Sequence, residues 1–171
     1  MRIFLDTAET DLIQKHSATG LIDGVTTNPT LIRKSGRDPE DVYQELIDMG
    51  VSDVSMEVVG NRKEMYEEGM RLASKFAGYS TIKVPCTPDG LAVCKELSSS
   101  VIRVNVTLIF SPSQAILAAS IRNVRDVGKA FEHGANICTI PPTVFNKMYK
   151  HILTDKGLEL FDNDWKSVQS V

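Results

Sequence analysis

The chain has 171 residues, of which 42% are hydrophobic and 24% are charged, as is ordinary for one globular domain with a core. A net charge of −3 and a pI of about 5.6 argue against the basic surface of a nucleic-acid-binding protein. No apolar run approaches the roughly 20 residues that a membrane span needs. Asp6 follows the first five residues, too early for the apolar region of a signal peptide.

The cysteines and histidines do not indicate a metal site. Cys86, Cys94 and Cys138 are odd in number and lack metal-ligand spacing, so we interpret them as reduced thiols of a cytoplasmic protein. The histidines are far apart in sequence and none pairs with a cysteine at ligand spacing, which favours helix-surface positions over metal binding. They are His16, His133 and His151.

Strand-like and helical patterns alternate along the chain. The predicted order is strand 2–6, helix 9–19, strand 23–27, helix 39–49, strand 51–58, helix 62–76, strand 80–84, helix 88–99 and strand 101–107. It continues with helices 112–119 and 124–133, strand 135–140, helix 143–151 and a C-terminal helix at about 155–168. Alternation of this kind predicts parallel strands with helical crossovers in one α/β domain over residues 1–171.

Polar side chains recur where the predicted strands end. In a (β/α) barrel the carboxyl ends of the strands build the active site. Five successive strands share this feature, which favours a functional site over separate turn residues. The residues are Asp6, Thr26, Thr27, Asn28, Glu57, Lys83, Asn105 and Thr107.

Lys83 is the most informative of these residues. It lies in the short apolar run Thr81-Ile82-Lys83-Val84-Pro85, which is typical of a strand buried on both faces. A lysine buried there loses the hydration of its charge, and a neutral amine is the nucleophile that forms Schiff bases with carbonyl groups. The alternative is a lysine at the end of a strand whose ammonium group reaches the surface.

Longer stretches of the chain carry a family resemblance. They are FLDTA at 4–8, GVTTNPTLI at 24–32, MEV at 56–58, IKVPCTPDGL at 82–91, NVTLIFSPSQAILAA at 105–119, SIRN at 120–123 and LTDKGLELFDNDW at 153–165. With these motifs the chain closely resembles the small transaldolase family, which includes fructose-6-phosphate aldolases. The resemblance implies a TIM-type (β/α) barrel of parallel strands.

The resemblance also implies the roles of the catalytic residues. Lys83 would form the Schiff base, and Asp6 would be the acid/base group of carbon–carbon bond cleavage. Glu57 and Thr107 would hold a proton-relaying water, and Asn28 would bind substrate hydroxyls. For Asp6 an alternative stays open, because an aspartate before a helix is a common N-cap.

Further residues complete the predicted substrate site. Thr27 would contact substrate, Asn105 would orient the Schiff-base intermediate, and Ser120 and Arg122 would hold the phosphate. Arg122 could instead be an ordinary surface charge. Phe110 would line the pocket.

Two positions distinguish the subfamilies. Aldolase-type members carry Gln where this chain has Glu57, and Tyr where it has Phe110. A tyrosine hydroxyl could help a water protonate and release the enamine, whereas Phe110 cannot. The pair therefore favours a transaldolase, with two alternatives: a fructose-6-phosphate aldolase, or a shortened and inactive barrel remnant that acts as an oligomeric or binding subunit.

One part of the family pattern is missing. The sixth strand–helix unit should lie between the AILAA helix and the SIRN strand, but Ala119 is followed directly by Ser120. The chain is also shorter than the 200 residues or more that are typical of such a barrel. We therefore expect a barrel that is incomplete or distorted between Thr107 and Ile140, where the helix would outcompete the strand for 117–120.

The implied partners are sugar phosphates of the pentose phosphate pathway, with no cofactor, no metal, no nucleic acid and no membrane. The resemblance also implies a cytoplasmic homo-oligomer, a pentamer or a decamer, in which the C-terminal helix reaches a neighbouring subunit.

Overall fold

The structure is a computed structural model. It describes residues 2–108, 124–125, 127–128, 137–149, 152–154, 156, 158–159 and 161.

In the described part of the chain, six parallel strands form one sheet. They are β1 (Arg2–Asp6), β2 (Gly24–Thr26), β3 (Val54–Glu57), β4 (Ser80–Pro85), β5 (Val104–Thr107) and β6 (Ile137–Ile140). Their order is β5-β4-β3-β2-β1-β6, and every pair is parallel. All carboxyl ends therefore lie at the same edge of the sheet.

The sheet is an incomplete TIM-type barrel, as the sequence predicts. It curls with β5 and β6 as its two edges, and these strands do not pair with each other within the described part of the chain. Residues 117–120, which we expect to be helical rather than part of a strand, lie outside the described residues, as does the helix predicted at 112–119.

Within the described ranges, six helices have defined bounds. They are α1 (Thr10–Ser17), α2 (Pro29–Ser35), α3 (Pro39–Asp48), α4 (Arg62–Lys75), α5 (Pro88–Ser99) and α6 (Pro142–Met148). The described residues between 152 and 161 are also helical, in agreement with a C-terminal helix.

Side-chain caps begin most of these helices. Asp38 accepts a hydrogen bond from the Glu40 N–H at the start of α3, and Asn61 and Glu64 form a reciprocal capping box at α4. Each cap satisfies N–H groups that have no partner inside the helix. The sequence predicts both of these helix starts.

Two predictions are corrected by the structure. The sequence pattern predicts no helix between residues 27 and 39, but the structure has α2 there, with Pro29 as its first residue and Asn28 as its N-cap. His16 does not lie on a helix surface: its side chain is buried against Phe145 of α6, with the rings edge to face at 5.3 Å. His133 and His151 lie outside the described residues.

The core is apolar and continuous around the strands. Leu5, Val25, Met56, Ile82 and Ile140 are fully buried, because alternate residues of each strand face the surrounding helices. None of the helices in the described ranges is long and apolar enough to cross a membrane.

Candidate active site

The carboxyl ends of four strands and the first turn of α2 surround a polar pocket of about 480 Å³. Its lining residues include two carboxylates, one amide, two threonines and one amine. The lining residues are Asp6, Asn28, Pro29, Thr30, Leu31, Glu57, Lys83, Thr107 and Leu108. The sequence predicts five of them as site residues, and the structure brings these five together.

Lys83 presents the amine of this pocket. The residue is only 5% exposed, so the interpretation as a surface-reaching lysine is wrong. Its Nζ donates a hydrogen bond to the Thr27 carbonyl oxygen at 2.8 Å and lies 3.0 Å from Glu57 Oε2. Those two contacts fix the direction of the amine within the pocket.

Glu57 is the carboxylate nearest to this amine. Glu57 and Lys83 are register partners on β3 and β4, and partner residues on parallel strands project from the same face of the sheet. Both side chains are more than nine-tenths buried. A buried carboxylate this close can accept a proton from the ammonium group or return one to it.

Asp6 lies at the carboxyl end of β1. Its Oδ1 accepts a hydrogen bond from the Thr26 hydroxyl at 2.9 Å. The alternative interpretation, that Asp6 caps the next helix, is wrong, since Glu9 occupies the N-cap position of α1. Within the described part of the chain, Asp6 Oδ2 makes no hydrogen bond, so it remains available to a ligand.

Asn28 has a structural bond and a free group. Its Oδ1 caps α2 by accepting from the Leu31 N–H at 2.9 Å. This bond fixes the side chain at the rim of the pocket and leaves the NH₂ group, which has two donors, for a bound molecule. Pro29 at the first helical position supports the same geometry, because its ring presets the helical φ angle.

Thr107 ends β5 opposite Pro85 of β4. Its backbone carbonyl accepts from the Cys86 N–H at 2.8 Å, and its hydroxyl makes no hydrogen bond to other described residues. Leu108, the next residue, has a φ of 61°, a strained angle for a side chain with a Cβ. The strand therefore turns sharply at the pocket rim.

The other predicted residues have different positions. The Thr27 side chain is fully buried and donates to the Ser55 carbonyl oxygen at 3.2 Å, so Thr27 meets the pocket through its backbone. Asn105 is the register partner of Lys83 on β5, but it lines a neighbouring cavity. Phe110, Ser120 and Arg122 lie outside the described residues.

The sequence places Thr26 among the strand-end residues but gives it no role of its own. It belongs to the run GVTTNPTLI, and its hydroxyl orients Asp6. Its position at the end of β2 was visible in the sequence, whereas its partner depends on the register between β1 and β2.

No metal or thiol chemistry is indicated by the described residues. None of their His, Cys, Asp and Glu side chains form a group of three that could hold a metal ion. Burial raises the pKa of the Cys138 thiol to about 11, so this thiol stays protonated at neutral pH.

Comparisons with known proteins identify a family and several relatives of this chain. The model of the family "Transaldolase/Fructose-6-phosphate aldolase" matches residues 3–120. A "Probable transaldolase" of Caulobacter vibrioides is 41% identical, with 98% of this chain and 97% of the relative covered. "Probable transaldolase" proteins of Nitrosopumilus maritimus and Lactiplantibacillus plantarum are 38% and 37% identical, each with at least 97% of both chains covered.

The alignments also bear on the missing unit. The alignment with the Caulobacter relative spans 212 positions, whereas the chain has 171 residues, so that relative contains internal residues with no counterpart here. The family model stops matching at residue 120, where the sequence places the junction. On the extent of both matches, the chain belongs to the transaldolase/fructose-6-phosphate aldolase family.

Proposed function

We propose that the chain is a class I (Schiff-base) transaldolase, which transfers a dihydroxyacetone unit between sugar phosphates of the pentose phosphate pathway. The single observation that carries this proposal is the buried amine of Lys83, 3.0 Å from Glu57 Oε2 in the polar pocket. An amine held this way in a pocket is suited to covalent catalysis on a carbonyl compound.

The chemistry begins with Lys83. Glu57 takes a proton from the ammonium group, and the free amine attacks the C2 carbonyl of a ketose phosphate. Loss of water gives a protonated imine. Its positive nitrogen draws the electron pair of the C3–C4 bond toward itself, so that bond breaks and an enamine remains on Lys83.

Asp6 accepts the proton of the C4 hydroxyl in this scheme. As the C3–C4 bond opens, the hydroxyl proton passes to Asp6, and C4 leaves as the aldehyde of the shortened sugar. The Thr26 hydroxyl, 2.9 Å from Oδ1, holds the carboxylate in one orientation. When an acceptor aldehyde arrives, the same steps run in reverse and the imine is hydrolysed.

Asn28 and Thr107 position the three-carbon unit. The free NH₂ group of Asn28 donates to a substrate hydroxyl, while its Oδ1 stays on the α2 backbone. The Thr107 hydroxyl and Glu57 line the same pocket as Lys83, which suits them to hold the water of the proton relay. Asn105 is the register partner of Lys83 on β5, and the resemblance gives it a part in orienting the intermediate, although it lines the neighbouring cavity.

Two residues, Glu57 and Phe110, favour group transfer over simple cleavage. The Glu57 carboxylate gives the Lys83 nitrogen a charged partner. Phe110 has no hydroxyl that could help to protonate the enamine. The enamine then waits for an aldehyde. The second candidate is the fructose-6-phosphate aldolase activity that the family's description includes, in which the enamine is protonated and free dihydroxyacetone is released.

Substrate binding and assembly follow the family resemblance. Ser120 and Arg122 hold the phosphate of the substrate, Phe110 and the Thr27 backbone shape the pocket, and no cofactor takes part. The chain acts in the cytoplasm as a homo-oligomer, a pentamer or a decamer. Since β5 and β6 are sheet edges among the described strands, association also protects backbone groups that would otherwise invite aggregation.

An assay with and without an acceptor tests this proposal. Fructose 6-phosphate with erythrose 4-phosphate should give sedoheptulose 7-phosphate, and omission of erythrose 4-phosphate should give little free dihydroxyacetone. Free dihydroxyacetone at equal rates in both reactions would identify an aldolase. No turnover in either reaction, with the protein folded, would favour the barrel remnant that acts as a binding subunit.

A further inference from the structure

A second cavity lies inside the barrel, toward the amino ends of the strands. Side chains two residues apart on a strand share one face. Thr81, Ser55 and Phe4 each precede a catalytic-pocket residue by two positions, so the cavity lies one layer below the Lys83 pocket. Its volume is about 260 Å³, and its lining residues are Arg2, Phe4, Asp53, Ser55, Thr81, Arg103, Val104, Asn105, Ile137 and Thr139.

At this cavity two guanidinium groups share one carboxylate, and Arg2 makes the longer of the two ion pairs. Asp53 is buried, and both its oxygens are occupied: Oδ1 accepts from the Thr81 hydroxyl at 2.7 Å, and Oδ2 accepts from Arg103 at 3.0 Å. Arg2 lies 3.6 Å from the same Oδ2, too far for a hydrogen bond. With two arginines and one carboxylate, the cavity carries an excess positive charge.

Polar groups inside the cavity also have unused hydrogen-bonding capacity. The Ser55 residue is 0% exposed, and its Oγ has no hydrogen-bond partner among the described residues. A buried hydroxyl of this kind is unfavourable unless something fills the adjacent space. The Thr139 hydroxyl and the Asn105 amide line the same cavity, and neither side chain is hydrogen-bonded to another described residue.

The remaining walls are apolar. The Phe4 ring, Val104 and Ile137 separate the polar groups, and the Arg2 guanidinium lies over the Phe4 ring at 5.7 Å from its centroid. Mainly apolar walls with a few converging polar groups are typical of sites for small molecules. The 51% exposure of the Arg2 side chain places this cation at the mouth of the cavity.

We propose that this cavity binds a small hydroxylated oxyanion, a phosphate monoester or a carboxylate of a few carbons. The oxyanion pairs with the Arg2 guanidinium at the mouth. The hydroxyl groups of the ligand then meet the Ser55 and Thr139 side chains inside. The site is separate from the Lys83 pocket and requires no carbonyl group in its ligand.

Calorimetry on the full chain tests the proposal with two probes, glycerol 3-phosphate and glycerate. Neither is an aldehyde or a ketone, so neither can form a Schiff base on Lys83. The probe that binds more tightly identifies the preferred anion. We expect at least one probe to bind, Arg2→Gln to weaken it by about tenfold or more, and Lys83→Met to leave it unchanged. No binding of either probe up to millimolar concentration would overturn the proposal.

Matched variants distinguish this site from general charge effects. Arg37→Gln removes a surface arginine that pairs with Glu45, and binding should be unchanged. Ser55→Ala should weaken binding, yet leave the ligand-free protein at least as stable, because it removes an unpaired buried hydroxyl. Equal weakening by Arg2→Gln and Arg37→Gln would contradict a specific site.

Amide chemical shifts of the unmodified protein give a second measurement that needs no variant. On addition of the tighter probe, shifts at Ser55, Thr81 and Thr139 support the proposal. Shifts confined to Asn28, Glu57 and Lys83 would place the anion in the catalytic pocket and overturn it.

Discussion

The contact between Lys83 and Glu57 depends on strand register. Each residue lies near the carboxyl end of a strand that the sequence predicts, but their adjacency follows only from the parallel pairing of β3 and β4, which places them opposite each other. A slip of one residue would turn one of the two side chains to the other face of the sheet. The apolar neighbours Met56, Ile82 and Val84, all fully buried, hold the register.

Loss of the Glu57 carboxylate should therefore be costly. In Glu57→Leu the Lys83 ammonium remains buried without its partner, and we expect the free energy of unfolding to fall by about 3–5 kcal/mol. The double variant Glu57→Leu/Lys83→Met, which removes both charges, should recover most of that loss. Urea denaturation measures both.

An exposed ion pair gives the control. Lys63 and Glu67 lie 3.8 Å apart with side chains 81% and 63% exposed, and exposed pairs contribute little because water and salt screen them. Glu67→Ala should change the free energy of unfolding by less than about 1 kcal/mol. Similar losses in Glu57→Leu and Glu67→Ala would contradict the buried pair.

Much of the active site was predictable from residue types at strand ends. Asp6, Asn28, Glu57, Lys83 and Thr107 were all expected there, and all line one pocket. The sequence could not indicate that the Thr27 carbonyl accepts from Lys83 or that Thr26 orients Asp6. Those bonds join different strands, so they depend on three-dimensional pairing.

At the scale of elements, helix starts are predicted better than strand starts. The strand predicted from residue 51 begins at Val54, because Val51 still bonds to the Leu46 carbonyl at the end of α3. Gly50, with a φ of 89°, makes that turn. Helix α2, which the sequence analysis does not predict, has its own sequence signals, an Asn N-cap followed by Pro.

Gly90 connects the first turn of α5 to the end of β4. A Cβ atom at this position would lie 2.0 Å from the Pro85 carbonyl oxygen, which is backbone and cannot rotate away. We expect Gly90→Ala to lower the free energy of unfolding by about 1–3 kcal/mol and to lower transferase activity, since β4 carries Lys83. Thermal denaturation and the transfer assay measure the two effects.

Gly128 is the matched control for Gly90. A Cβ there meets nothing within 4 Å, and the residue is helical. Alanine has the higher helix propensity, so Gly128→Ala should be neutral or more stable by up to about 1 kcal/mol. A destabilisation as large as that of Gly90→Ala would show that the clash with Pro85 is not the cause.

The packing of α1 on α6 should make stability depend on pH. Burial, and secondarily the nearby Lys15 charge, lowers the pKa of His16 below its usual 6.5. The unfolded chain therefore binds the proton more readily than the folded one. This contribution to stability is fully present above about pH 6.5 and decreases as the pH falls through that value.

Replacement of His16 by leucine tests this dependence. We expect His16→Leu to flatten the loss of stability between about pH 7 and pH 5, measured as the urea midpoint at several pH values. The edge-to-face contact with Phe145 is replaced by an aliphatic contact at every pH, so it does not change the slope. Identical slopes for the two proteins would exclude His16 as the titrating group.

At the scale of the whole molecule, the barrel is incomplete. The six described strands leave β5 and β6 as edges, and a relative has internal residues with no counterpart in this chain. The class of fold follows from the alternation of strands and helices, and this alternation is still recognisable when the sixth strand–helix unit is missing. Whether a barrel closes depends on how strands far apart in sequence meet, and local pattern does not determine that.

The missing unit should weaken the hold on the substrate phosphate. The family resemblance implies four phosphate contacts. Two of them, Ser120 and Arg122, are present in this chain, whereas the other two, a Ser and an Arg, belong to the missing block. Loss of one arginine–phosphate contact lowers affinity by about 10- to 100-fold. Glucitol 6-phosphate has no carbonyl group, and we expect its affinity for this protein to be lower by that factor than its affinity for the Caulobacter vibrioides relative. Equal affinities would mean that Arg33 or Lys34 supplies the missing contact.

Covalent trapping tests the central claim, that Lys83 forms the Schiff base, most directly. The protein is incubated with fructose 6-phosphate and borohydride, and the modified peptide is mapped by mass spectrometry. We expect one adduct, on Lys83, which Lys83→Arg abolishes because guanidinium stays charged, while Lys95→Arg, at an exposed position on α5, retains it. An adduct on Lys75 or Lys95 with none on Lys83, or no adduct at all, would contradict the claim.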